Sequence, residues 1–374
     1  MALGVASDDV ALVHDYLLVL RGAERTFAAM SDLWPRAPIY TLLFDRYGTE
    51  DRFAGHRIQT SHLQLTGADQ TNFRKLLPFF PLAVSRLPVA DFPVVVSSSS
   101  AFAHGVRPGP DAIHICYCHS PFRYAWFERE RAAAEVPRPL RPALAGALGA
   151  IRRWDLSAAA RVTHYIANSR HTQSRIRQIY GRDSTVIHPP VEIRRFRSAA
   201  AGDYFLVVSE IVPHKRIEIA AAAAVAARQR LKVVGSGPDL DRLRALYPTV
   251  EFLGRVDDAT LESLYGSALA VLVPNIEEFG IVAIEAQAAG RPVIAAKAGG
   301  ALETVVEGVT GRFFVPDDVP GLTGLLRDFD IAEFDHDAIA RHAQSFSPAV
   351  FHARLREEVR RAVEGAGRRD HWSR

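Results

Sequence analysis

Short apolar runs recur along the chain at Val10–His14, Val94–Ser97, Ile113–Cys118, Val162–Ala167 and Thr185–His188. A second series follows at Tyr204–Val208, Leu231–Val234, Val250–Leu253, Leu269–Val273 and Pro292–Ala296. Continuous rather than alternating apolarity, rich in Val and Ile, suits strands covered on both faces. Helical periodicity separates most of the runs, and Ala220–Ala227 reads as an alanine-rich helix. Strands alternating with helices predict an α/β chain with doubly wound parallel sheets. The two series are divided by "HPPVEIRRFRSAAAG", whose Pro-Pro and arginines make 189–202 the best linker candidate. Two Rossmann-like domains are therefore expected, 1–193 and 194–349. A C-terminal helix at about 350–374 is expected to pack back on the first.

The stretch "PNIEEFGIVAIEAQAAG", residues 274–290, sets carboxylates in an otherwise apolar segment. It reads as a turn after the strand "LAVLV", then the helix "IVAIEAQAA", a stop at Gly290 and the strand "PVIAA". The turn falls at the carboxyl end of a parallel sheet, where open α/β folds bind ligands. The helix start at Phe279, Gly280 and Ile281 offers free N–H groups and a positive dipole end, an anion site. Glu285 leans back toward that end. Burying an unpaired carboxylate is costly, so either cations pair with these groups or a ligand uses them. Glu277 and Glu278 could simply complement the helix dipole. The arrangement favours a ligand carrying both phosphates and hydroxyls, such as a sugar nucleotide.

Two further segments point the same way. "VPHKRIEIAAAAA" predicts a helix from about Pro213, where a cation is disfavoured. A lysine at 215 suggests that an anion comes to it, the alternative being a snorkelling surface lysine. Gly299 and Gly300 precede another predicted helix and would let backbone approach phosphates.

Composition narrows the class. At 374 residues, with 48% hydrophobic and 23% charged residues, the chain is an ordinary globular protein of two-domain length. No apolar run reaches membrane-spanning length. The N-terminal "MALGVASDDVALVHDYL" lacks a signal-peptide pattern, and Cys116 and Cys118 are poorly placed for a mutual disulfide. A cytoplasmic location is expected. Net charge is +3, yet residues 121–200 hold 15 Arg against 6 acidic residues. That asymmetry suits anionic lipid, a phosphorylated substrate or a plain solvated surface. Nucleic acid is not expected, since no binding motif accompanies it. "FRKLLPFFPLAVSRLP", residues 73–88, mixes basic and bulky apolar residues, as a membrane-touching segment or a core helix would. "DFD" at 328–330 reads as surface, "GSGP" at 235–238 lacks a dinucleotide fingerprint, and Cys116, Cys118 and His119 make a poor zinc set.

Taken together, "PNIEEFGIVAIEAQAAGRPVIA", with glutamates at 277 and 285, resembles the signature of the retaining glycosyltransferases of family 4. The resemblance extends over nearly the whole chain. "HDYLLVLRGAERT" looks like the family's N-terminal Gly-rich loop and "CYCHSPFRYAW" like its central histidine motif. "IANSRHTQSRI", "IHPPVE", "VPHKR", "VVGSGPDLDRL", "FLGRVDD" and "AGGALETV" match further along. The resemblance implies the GT-B fold, two Rossmann-like domains facing across a cleft. In "YCHSPFRYAW" and "VPHKRIE" the chain is most similar to bacterial surface-polysaccharide mannosyltransferases, which favours GDP-mannose as donor.

The same resemblance implies roles. Glu285 would hold the ribose hydroxyls and Glu277 the donor sugar. The amides of Phe279, Gly280 and Ile281 would lie near sugar and diphosphate, with Gly299 and Gly300 beside the phosphates. Lys215 and Arg216 would contact the diphosphate, and Arg255 and Val256 the base. His119 would sit beside the donor sugar, with Arg21, Gly22 and Arg123 on the acceptor side. Arg21 stands where the family usually has a glycine, and Glu210 where it usually has an arginine. The implied reaction is a retaining transfer without a metal or cofactor, the protein supplying positioning and electrostatics. The expected acceptor is a glycan, lipid-linked or small-molecule one, and peripheral contact with the inner face of the membrane is expected only if residues 73–88 are the membrane-touching segment rather than a core helix. Two other readings stand beside it, a sugar-nucleotide epimerase and a non-catalytic sugar-nucleotide binder.

Overall fold

The computed structural model describes residues 5–134 and 136–370. The chain divides into two compact units, one running to His188 and resuming at Phe351, the other Pro189–Val350.

The first unit is built on seven parallel strands: β1 (Val10–His14), β2 (Ile39–Thr41), β3 (Ile58–Thr60), β4 (Val94–Ser99), β5 (Ile113–Cys118), β6 (His164–Ala167) and β7 (Ser184–Val186). Their order is β3-β2-β1-β4-β5-β6-β7. Val10 and Leu12 enter one core cluster and Ala11 and Val13 another. A strand covered on both faces needs apolar residues at every position, hence the unbroken runs. On one face the helix Pro348–Asp370 contributes Phe351, Leu355 and Val359, four residues apart along one stripe. Its Glu358 accepts a hydrogen bond from Thr185 at 2.6 Å and lies 2.7 Å from His164.

The second unit carries six parallel strands: β8 (Tyr204–Val208), β9 (Arg230–Val234), β10 (Glu251–Gly254), β11 (Val271–Val273), β12 (Val293–Ala296) and β13 (Gly311–Phe314), in the order β10-β9-β8-β11-β12-β13. Phe205 and Val207 pack against the alanine-rich helix Ile217–Ala227, while Leu206, Val271 and Val273 belong to the opposite face. The segment from Pro189 to Gly202 is packed within this unit. Val191, Ile193 and Phe196 are buried, and Arg291 donates to the carbonyls of Gly266 and Ala199.

Strands β2, β3 and β13 have no counterpart among the apolar runs. β3 is a half-exposed edge strand, and β13 reads Gly-Arg-Phe-Phe, so neither needs a continuous apolar face. In both sheets the strand order reverses once, between β1 and β4 and between β8 and β11. Each reversal puts loops from the carboxyl ends of two neighbouring strands side by side, the place where doubly wound sheets hold ligands. Among the described residues no helix is long and apolar enough to cross a membrane.

Candidate functional site

In the second unit the loops after β8 and β11 meet at the reversal. β11 ends at Val273, and Pro274 and Asn275 lead into the turn that precedes the helix Ile281–Ala288. Gly280 caps that helix with φ +95°, a left-handed conformation costly for any side chain. Lys215 Nζ lies 2.5 Å from Glu277 Oε1, and the buried amide of Asn275 donates to the same oxygen at 2.8 Å. The Lys215 and Glu277 side chains keep 22% and 27% of their exposure, so a ligand can reach both.

Lys215 does not lie at the start of a helix, contrary to the expectation from "VPHKRIEIAAAAA". Pro213–Lys215 is a 3₁₀ turn, Arg216 is left-handed at φ +55°, and the helix begins only at Ile217. The left-handed residue separates the two, and Lys215 reaches across to the loop after β11. Arg216 itself pairs with Asp317 at 3.2 Å. Glu210 is exposed on the loop after β8.

Gly299 and Gly300 are required by packing. The Gly300 N–H donates to the Glu277 carbonyl at 2.8 Å. A Cβ at Gly299 would lie 2.4 Å from that carbonyl oxygen, and one at Gly300 would lie 2.3 Å from Phe279 Cα. The two glycines thus press directly on the 277–279 turn and hold its amides in place. Glu285, within the helix, accepts a hydrogen bond from the buried Tyr265 hydroxyl at 2.7 Å. Burial first, and then the Glu285 charge, push the Tyr265 hydroxyl well above its usual pKa, so it stays a donor. The structure therefore gathers Lys215, Glu277, Phe279, Gly280, Ile281, Gly299 and Gly300 around one turn, with Glu285 about one turn into the helix. Arg255 is exposed just after β10 and donates to Ser236, in the loop after β9, at 2.8 Å. Val256 is partly buried in the core.

In the first unit the corresponding reversal gathers a different set. His119 follows β5, and its Nε2 lies 2.9 Å from Ser98 Oγ at the end of β4. Ser98 Oγ is also 3.1 Å from His14 Nδ1 at the end of β1. Burial, and then the nearby His14, lower the His119 pKa to about 3, so the ring is neutral at ordinary pH. Gly22 opens the helix Gly22–Ser31, and the Arg21 N–H donates to Glu24 at 3.1 Å. Arg123 opens the short helix Arg123–Trp126 and lies 3.9 Å from Glu128.

Several residues at these strand reversals were not marked by the sequence reading. Asp15, 2% exposed, accepts from the backbone N–H groups of Ser100, Ala101, Phe102 and Ala103 at 2.6–3.1 Å. It fixes the loop after β4 to the end of β1. Ser97, Ser98 and Ser99 each meet a histidine, His114, His14 with His119, and His104. A serine run in a buried strand was the available signal, because a buried hydroxyl needs a partner. Asn275 and Tyr265 were equally silent, since their partners come from the fold. Cys116 and Cys118 are buried free thiols, pushed far up by burial. Within "DFD", Asp330 accepts from the Ala332 N–H in a local turn.

Residues 192–333 match the model of the family described as glycosyl transferases group 1. D-inositol 3-phosphate glycosyltransferase 2 of Catenulispora acidiphila is 31% identical over 241 residues, 53% of this chain and 56% of that protein. D-inositol 3-phosphate glycosyltransferase of Streptomyces coelicolor is 43% identical over 102 residues, 26% of this chain and 22% of that protein. The chain thus spans no more than 56% of either relative's length. Sucrose-phosphate synthase of Thermosynechococcus elongatus superposes with a TM-score of 0.71 at 18% identity, over 95% of this chain and 100% of that one. HepE of Anabaena, in complex with UDP, gives 0.68 at 18% identity over 94% and 99%. The fold is GT-B, two Rossmann-like parallel-sheet domains, and residues 192–333 carry the glycosyl transferases group 1 similarity.

Proposed function

We propose that the chain is a retaining glycosyltransferase that moves a hexose, mannose from GDP-mannose, onto a glycan, lipid-linked or small-molecule acceptor. The observation that carries this reading is the Lys215–Glu277–Asn275 cluster beside the N-terminus of the helix Ile281–Ala288. A cation, a carboxylate and the amides of a helix N-terminus within one turn are the groups needed to hold a sugar diphosphate. The amides and Lys215 would neutralise charge that grows on the leaving diphosphate. Glu277, oriented by Asn275, would accept hydrogen bonds from sugar hydroxyls and fix the anomeric carbon for attack. Glu285, oriented by Tyr265, would accept from the ribose. No metal is assigned, because Lys215 and the helix N-terminus already supply positive charge.

The donor base rests on the motif similarity in "YCHSPFRYAW" and "VPHKRIE", while UDP in HepE supports a nucleoside diphosphate in general. The proposed location is the cytoplasm, against the inner face of the membrane. Residues 73–88 favour it: Phe80, Ala83 and Val84 are buried, while Phe79 and Leu82 are 56% and 51% exposed among Arg74, Lys75 and Arg86.

Thermal shifts with GDP-mannose, GDP, UDP-glucose and UDP at equal concentration test the donor. A ligand at 100 times its Kd stabilises by about 2.7 kcal/mol. GDP-mannose should give the largest shift. A larger shift with UDP-glucose would replace the donor, and no shift with any of them would overturn the reading. Epimer formation without an acceptor would make the protein an epimerase.

A further inference from the structure

The helix Ile281–Ala288 buries an amide where an apolar side chain would fit. Ala283, Ile284 and Gln287 share one helical face, and Gln287 is 0% exposed. Its Nε2 lies 2.6 Å from the carbonyl oxygen of Thr304, and its Oε1 lies 2.6 Å from Nδ1 of His342. Methionine has a similar length and fills such a position with no amide to desolvate. What the amide adds is direction, a donor aimed at one partner and an acceptor at another.

The partners decide where the protons are. A carbonyl only accepts, so the Gln287 atom facing Thr304 is the NH2 group and the atom facing His342 is the oxygen. His342 Nδ1 must then carry a proton. Burial lowers the His342 pKa, so at neutral pH the ring is uncharged with Nδ1 as its protonated nitrogen.

Both partners lead to the turn at 277–281. Thr304 ends the short helix Ala301–Thr304, and its N–H and Oγ1 donate to the Gly300 carbonyl at 3.1 and 3.2 Å. The Gly300 N–H in turn holds the Glu277 carbonyl. His342, on the helix His336–Ala343, meets Phe346 edge to face at 5.5 Å between centroids. Phe346 packs on Phe279 of the turn at 5.6 Å. Gln287 thus ties together the two supports of the turn, the glycine pair and the aromatic pair.

We propose that Gln287 and His342 are positioning residues that hold the turn 277–281 in place, so that the amides of Phe279, Gly280 and Ile281 meet the diphosphate of a sugar nucleotide. The diphosphate rests on the transferase reading; the hydrogen-bonded clamp does not. Gln287 is fully buried and acts only through its partners.

Two measurements on the full chain test it. Long-range proton–nitrogen NMR with ¹⁵N-histidine, the signal identified by its loss in His342→Asn, should show Nδ1 protonated and Nε2 bare at neutral pH. Calorimetry compares ADP, GDP and UDP, each against its monophosphate. Affinity for the diphosphate that binds should fall about tenfold in Gln287→Met and His342→Leu, the loss of one hydrogen bond, with a smaller change for the monophosphate. An asparagine amide reaches the place of Nδ1, so His342→Asn should restore diphosphate binding. A native His342 protonated on Nε2 alone overturns the clamp. Native diphosphate affinity in both variants, or equal losses for diphosphate and monophosphate, overturns the positioning role. Where Gln287→Met fails to fold, His342→Leu and its rescue by His342→Asn decide. The expected spectrum with no diphosphate bound by the native protein would refute the transferase reading and leave the clamp standing.

Discussion

Replacing Lys215 by alanine separates a ligand-binding lysine from a structural one. In the folded chain its partner is Glu277, and the two side chains are 22% and 27% exposed. An ion pair with that access to water contributes at most about 1 kcal/mol to folding, or about 2–4 °C in Tm for a domain of this size. Against a diphosphate the arithmetic differs. One unit charge at about 4 Å and an effective dielectric near 20 is worth about 4 kcal/mol. Discounted for the solvent that reaches the site, about 2–3 kcal/mol remains, or about 30–150-fold in rate. Lys215→Ala should therefore lower kcat/KM for the sugar nucleotide by that factor while Tm moves only a few degrees. The assay is initial transfer rate against donor concentration, with urea unfolding run in parallel. The deletion also leaves Glu277 unpaired and facing the diphosphate, so Lys215→Ala with Glu277→Gln should bind free nucleoside diphosphate better than Lys215→Ala does. A variant that unfolds, or one with native kcat/KM, refutes the reasoning.

Glu285→Gln should weaken nucleotide binding about tenfold by calorimetry and leave stability nearly unchanged, because the amide oxygen can still accept from Tyr265. Excess EDTA should leave initial transfer rates unchanged; abolition with rescue by manganese or magnesium would reveal a metal site. His114 and His119 both have pKa values lowered to about 3, chiefly by burial, against an ordinary 6.5. The unfolded chain binds their protons first, so stability is full above pH 6.5 and falls as pH drops toward 3. Each histidine steepens the loss by up to about 1.4 kcal/mol per pH unit. Urea midpoints across that window should show it, with a shallower slope for His119→Gln. Vesicles rich in anionic lipid should sediment the protein, and Phe79→Ser with Leu82→Ser should release it without changing Tm.

What the sequence by itself determined is what short-range physics encodes. Ten apolar runs fell on strands because a strand covered on both faces is apolar at every position. The turn before Ile281 was legible because a strand end, a glycine and a helical period follow one another within a few residues. β2, β3 and β13 escaped because brief or half-exposed strands leave no such trace. Lys215 was marked for its charge, but the left-handed Arg216 moved it off the helix, a backbone choice made by packing. Strand order belongs to the tertiary structure entirely. Only the reversal between β8 and β11 brings Lys215 to Glu277, 62 residues away. Only that between β1 and β4 sets Ser98 against His14, 84 residues away. Hydrophobic periodicity states which face of an element is buried, not which element will cover it. The partners of the polar groups at the strand ends were therefore decided by the fold.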